Sequence, residues 1–146
     1  MPIESSALKS ADFEVECRVG RLIVTRLIAL HDPREVRQVQ LAVMRAIEEA
    51  GTKAVICSDW RLIDIFAPSV ADAILDMLNA TNHIVFRGGI LLNVEKATLN
   101  LQVERILRDA RHPGRRCFRD KDNLLHWLGE SLEPAEVEAA RCFMMG

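Results

Sequence analysis

No stretch of this chain is apolar for long enough to cross a membrane as a helix. Leu22-Ile23-Val24 is soon interrupted by Arg26, far short of the roughly 20 apolar residues a span needs. Charge of one sign is lacking too. The net charge is −2, so bulk charge offers nucleic acid no attraction. Cysteine is sparse and scattered, at Cys17, Cys57, Cys117 and Cys142. His31, His83, His112 and His126 show no ligand spacing to one another or to a cysteine, which argues against a metal site. There is no Gly-x-Ser-x-Gly elbow, no GxGxxG and no P-loop, so hydrolase and nucleotide readings lose their usual signatures. With no catalytic constellation in view, the expectation is a protein that is not an enzyme and takes no cofactor. The start, MPIESSALKSADFEVE, has neither a basic nor an apolar leader region, which predicts no secretory signal. A chain with its own core does not need disulfides, so the thiols read as reduced and the protein as cytoplasmic. Repeats, low-complexity tracts and internal linkers are also missing.

What is present is an ordinary globular composition, with 146 residues, 49% apolar and 27% charged. That length gives one domain with a core of its own. Residues 1–11 read as a polar lead-in. Phe13, Val15 and Cys17 alternate with Glu14, Glu16 and Arg18, a half-buried strand. Val19-Gly20-Arg21 turns the chain into a second strand over 22–30, giving a hairpin. Asp32-Pro33-Arg34-Glu35 starts a helix, with Asp32 as cap, Pro33 at the first position and Glu35 reaching back. Val36, Val39, Val43 and Ile47 share one face of it, and Gly51 ends it. Ala54-Val55-Ile56-Cys57 is apolar at successive positions, as in a strand covered on both faces. Pro68 opens a second helix, which Asn82 closes in the left-handed region. Another strand runs from Ile84 to Leu92, where Gly88-Gly89 signals a bulge or a close backbone approach. Asn93 caps a third helix to about Arg111. Arg116-Cys117-Phe118 is a short strand, Asp120 caps a fourth helix, and a tail helix follows Glu133-Pro134. The order β-β-α-β-α-β-α-β-α-α predicts an α/β domain with a small mixed sheet, parallel central strands and packed helices.

Candidate site residues gather where the central strand ends and the second helix begins. Sites of open α/β sheets lie outside the carboxyl ends of strands and at helix N-termini. Ser58, Asp59, Asp64 and Ser69 meet that description. Asp72 and Asp76, spaced i, i+4, read as a solvated helix face. Arg105, Arg108, Arg111, Arg115 and Arg116 form a basic stretch that suits an acidic partner or a phosphate. It is short and without interleaved aromatics, which points away from nucleic acid. Cys57 and Cys117 read as inert thiols that could be neighbours in the sheet, and Trp60 and Trp127 as packing residues.

Two patterns, KAVICSDWRLIDIFAPSVADAIL and RRCFRDKDNLLHWL, together with the element order, resemble the STAS-domain family. The resemblance covers about residues 12–132, leaving 133–146 as a C-terminal tail helix. More narrowly, the chain is similar to the stand-alone bacterial members, among them the anti-sigma-factor antagonists. In these a serine or threonine of an Asp-Ser-Ser-Gly-like motif opens the second helix and is phosphorylated by a partner kinase. Ser69 matches that position, while Ala67, Pro68 and Val70 replace the Asp, Ser and Gly. The resemblance implies a non-enzymatic regulatory or protein-interaction module with a protein partner still to be identified, a component of a partner switch. The alternative it leaves open is a carrier of a small apolar ligand or lipid, with a pocket beside the sheet. Finally, Val137, Ala140, Phe143 and Met144 crowd one side of the tail. A helix that short needs a surface, either this chain's own sheet or the same patch on a second copy, and a homodimer through Phe143 and Met144 is expected.

Overall fold

Strand periodicity sets the frame of the protein, whose computed structural model describes residues 7–146. Residues 1–6 of the expected lead-in lie outside the described residues. The rest of it contributes a strand that the sequence reading did not include, β1 (Leu8–Lys9). β2 (Phe13–Val19) and β3 (Leu22–Leu27) form the expected hairpin, and α1 (Pro33–Ala50) leads to β4 (Ala54–Asp59). α2 (Pro68–Thr81), β5 (Val85–Leu91), α3 (Ala97–Ala110), β6 (Arg115–Phe118), α4 (Lys121–Gly129) and α5 (Pro134–Met144) complete the chain. The six-stranded sheet runs β1-β2-β3-β4-β5-β6. β1, β2 and β3 pair antiparallel, and β3 to β6 pair parallel. This is the α/β domain with a mixed sheet that the sequence predicts.

Each strand lies beside its successor, so every crossover helix falls on the same face. α1, α2 and α3 cover one side of the sheet, with Ile23, Ile56 and Ile90 beneath Val39, Ile74 and Val103. α4 and α5 cover the other, with Val24, Val55 and Leu91 against Leu124, Leu128 and Met144. Alternation along β4 feeds both cores, which is why all six of its residues are buried. Each fully buried aliphatic side chain contributes about 1.5–3 kcal/mol.

Caps decide where helices begin. Asp32 accepts hydrogen bonds from the Arg34 and Glu35 amides at 2.8 and 3.1 Å. Glu35 reaches back one residue further than a capping box requires, to the His31 amide at 2.7 Å. Asn93 does not cap α3. Its side chain accepts from the Glu95 amide at 2.9 Å, a local turn that delays the helix to Ala97. Asn82 stays right-handed (φ −54°), because its side chain is used elsewhere. It donates to the Ala110 carbonyl and accepts from Arg115 Nε, both at 2.8 Å. The helix end that does turn left-handed is that of α3, at Arg111 (φ 56°); Lys53, before β4, also takes a positive φ (62°).

Gly20 holds the hairpin turn at φ 55°. A Cβ there would collide with Oε2 of Glu136, which accepts from the Arg21 amide at 2.8 Å. The turn is thus tied to the start of α5. No helix of the described residues is long and apolar enough to cross a membrane.

Candidate functional site

Because strand side chains alternate, the adjacent Ser58 and Asp59 point to opposite faces of the sheet. The four expected site residues therefore do not converge, and the carboxyl end of β4 carries two separate constructions.

On the α4–α5 face, Asp59 is buried (5% exposed) and gathers two arginines that the sequence reading had not singled out. Arg61 donates through its amide (3.1 Å), Nε (2.9 Å) and Nη2 (3.0 Å), and Arg26 through Nε (3.1 Å). Burial by itself would raise the Asp59 pKa, but these hydrogen bonds outweigh it and hold the carboxyl below its usual range. The same arginines then reach the end of α5. Arg26 Nη2 donates to the Phe143 carbonyl at 2.7 Å, and Arg61 Nη2 to the Met144 carbonyl at 2.9 Å. Carbonyls of a last helical turn have no partner within the helix, and cations favour that end of the dipole. The Arg26 guanidinium also lies 4.3 Å from the centre of the Phe143 ring. Asp59 is thus the knot that fastens the tail to the sheet.

That knot corrects the expectation for the tail. Phe143 and Met144 are 5% and 1% exposed, buried against the chain's own β3 and α4 rather than offered to a second copy. The needed surface lies within the molecule, and Met145 is the large apolar residue left outside (71% exposed).

On the α1–α3 face, Ser58 hydrogen-bonds Thr25 of the adjacent β3 at 2.6 Å. Both border a cavity of about 50 Å3 whose walls include Ile56, Trp60, Ile90 and Arg115. Trp60 is buried, stands edge-on to Phe66 at 5.9 Å, and leaves its Nε1–H without a partner among the described residues. Polar side chains at the inward positions 25 and 58 were the sequence signal for this cavity. Its other components come from strands distant in the chain.

Asp64 and Ser69 lie outside both constructions. Asp64 is an exposed loop residue paired with Lys96 at 3.1 Å. Ser69 is exposed in the first turn of α2, where Ala67 supplies no side-chain cap. Free N–H groups at a helix start favour negative charge. Ser69→Asp is therefore expected to stabilise the protein by about 0.5 kcal/mol, read as a higher urea midpoint with unchanged slope. A lower midpoint would show that those amides already have a better partner.

The basic stretch is divided. Arg105, Arg108, Arg111 and Arg116 are exposed, but Arg115 turns inward under α2 and leaves the patch. Arg116, on the opposite face, lies over Trp127. Cys57 and Cys117 are not neighbours, because β5 separates them and each packs on a different face. Burial pushes the Cys57 thiol up to about 12 and raises that of Cys117, so neither is a ready nucleophile. Asp72 and Asp76 are exposed. Asp12, His31 and Glu35 bring one ligand-type atom each within 4.8 Å. In the structure they serve the start of α1, with His31 Nδ1 at 2.8 Å from Glu35. Hydrogen bonding to that carboxylate raises the His31 pKa.

Fold and site together define an α/β domain with helices on both faces of a mixed sheet, a clamped tail and a small internal cavity. Compared with known protein families and with curated proteins, the chain matches none.

Proposed function

We propose that the chain is a non-enzymatic, cytoplasmic protein-interaction module of STAS type, a component of a partner switch. The docking edge in this reading is formed by the loops after β4 and β5. One observation carries it: these neighbouring loops expose large apolar side chains while their backbones are pinned. Leu62, Ile65 and Val94 are 61%, 62% and 64% exposed. The Phe66 amide donates to Gln102 Oε1 and Gln102 Nε2 donates back to the Phe66 carbonyl, both at 2.9 Å. Lys96 Nζ donates to the Ile63 carbonyl at 2.8 Å. Apolar groups held out on ordered backbone lose little conformational freedom on binding, and exposed apolar clusters mark interaction sites. Ser69 lies just beyond this edge. Phosphate there would place a charge of about −1.5 to −2 beside it, a simple means of switching partners. The element order and the strand–loop–helix resemblance support the STAS assignment.

The carrier reading draws on the cavity. At about 50 Å3 it is far smaller than a lipid needs, since even an engineered benzene cavity is roughly 150 Å3. This favours the module.

The test compares affinity capture by the full chain with capture by the Leu62→Ser/Ile65→Ser double variant. Both positions are solvent-exposed, so the variant's unfolding midpoint should match the parent within about 0.5 kcal/mol. The module reading expects a defined protein in a stoichiometric complex with the parent and its loss from the variant. Retention of that partner by the variant would reject the docking edge.

A further inference from the structure

We infer that the cavity between the sheet and α1–α3 is a binding site for a small aliphatic carboxylic acid, its carboxylate held by Arg115. The inference stands apart from the docking edge, since the cavity can be filled or empty whichever partner the loops take.

Arg115 sits on β6 with its side chain largely buried between the sheet and α2. Its Nε donates to Asn82 Oδ1 at 2.8 Å, and its Nη2 to Thr81 Oγ1 at 2.9 Å and the Leu78 carbonyl at 3.3 Å. All three acceptors are neutral. No carboxylate of the described residues lies within ion-pair distance, and Nη1 has no hydrogen-bond partner among them. Other inward-leaning arginines are matched by acids: Arg26 by Asp59 and Glu14, Arg61 by Asp59, Arg87 by Glu130. Burial lowers the Arg115 pKa to about 10, which still leaves the group charged at neutral pH. A largely buried charge without a counter-ion is unfavourable, and a guanidinium fork is shaped for a carboxylate.

The surroundings define the rest of the ligand. A Cβ at Gly88 would stand 3.7 Å from Nη1, at ordinary contact distance, so the strand lies directly beside the unpaired nitrogen. Beyond it the walls are Val39, Val43, Ile56, Met77 and Ile90. A bare inorganic anion would leave those walls without contacts. An anionic head with a short apolar body satisfies both the nitrogen and the walls. The volume of about 50 Å3 selects a short acid over a long one.

Trp60 lines the same cavity and supplies the readout. Acetate and propionate are titrated into the full chain while tryptophan fluorescence and the thermal midpoint are followed. The matched controls are ethanol and sodium sulfate. The expected result is a saturable fluorescence change below about 10 mM and a midpoint rise of several degrees with at least one acid. Neither control should reproduce it. Arg115→Met keeps an apolar stem and should abolish the response. Leu107→Trp, at a half-buried wall position, should abolish it by filling the space with Arg115 intact, so a folding failure of the first variant leaves the test standing. An equal response to sulfate would reduce the site to a bare anion site and overturn the inference. An equal response to ethanol would make it a plain apolar cavity, with the same consequence. So would the absence of saturation with both acids, or a response that survives both variants.

Discussion

Asp59→Ala is expected to destabilise the protein by about 3 kcal/mol, a fall in thermal midpoint of about 10 °C for a chain of this size. The substitution removes the carboxylate that two guanidinium groups share, leaving, among the described residues, Arg61 without an acid and Arg26 with Glu14 alone. Arg26 has 19% of its side chain exposed and Arg61 36%. Arg61 can therefore find water at modest cost, while Arg26, less exposed, retains Glu14 at 2.8 Å. Losses of this kind reach 3–5 kcal/mol in fully buried pairs, and the partial exposure of Arg61 argues for the lower end. Part of the loss falls on α5, whose last carbonyls depend on the same arginines. Its amides should exchange faster than those of α2 in the variant. A uniform acceleration would mean that Asp59 supports the whole fold rather than the tail.

The pH dependence of this knot has a definite sign. The folded Asp59 carboxyl sits below its ordinary value, so the folded state prefers the carboxylate. Its contribution is complete above the unfolded pKa, about 4, and is lost as pH falls through the folded value. The stability gap between the parent and Asp59→Asn should hold constant from neutral pH down to about pH 4 and narrow below it. A gap that widened on acidification would contradict the assignment.

Gly89→Ala should cost about 2 kcal/mol, while Gly88→Ala, one residue away, should stay within about 0.5 kcal/mol of the parent. The two glycines face opposite sides of β5. A Cβ at Gly89 would collide with Leu124 Cδ1, with Leu128 and Trp127 already in contact at 3.4 and 3.5 Å. Leu124 and Leu128 are both 0% exposed, so neither has room to move. A Cβ at Gly88 meets its nearest atom, Arg115 Nη1, at ordinary contact distance. Chemical denaturation of the two variants checks the contrast. Equal costs would show that the glycines serve strand geometry rather than what lies above each face.

Much of the fold was legible because local signals and burial agree. Asp32-Pro33 starts α1 through a cap that physically exists, and the unbroken apolar run of β4 reflects burial on both faces. β1 was not legible, since two exposed residues carry no period. Asn93 read as a helix cap because asparagine serves turns and caps by the same hydrogen bond. The site was legible in position but not in assembly. Ser58 and Asp59 stand where a βα unit concentrates polar groups, yet the pleat sends them apart. Arg26 read only as the end of an apolar run and Arg61 was not singled out, because nothing local links residue 26 to residue 143. Arg115 looked like one member of a basic stretch. Its inward turn follows from strand alternation against Arg116, and its unpaired charge shows only when three elements close around it.

The claim that the loops after β4 and β5 form the docking edge is tested most directly by amide hydrogen exchange on the complex recovered with the full chain. The account predicts slowed exchange across residues 60–69 and 92–96 on partner binding, with α5 unchanged. Protection confined to α5 or to the β1 edge, with both loops exchanging as in the free protein, would contradict it.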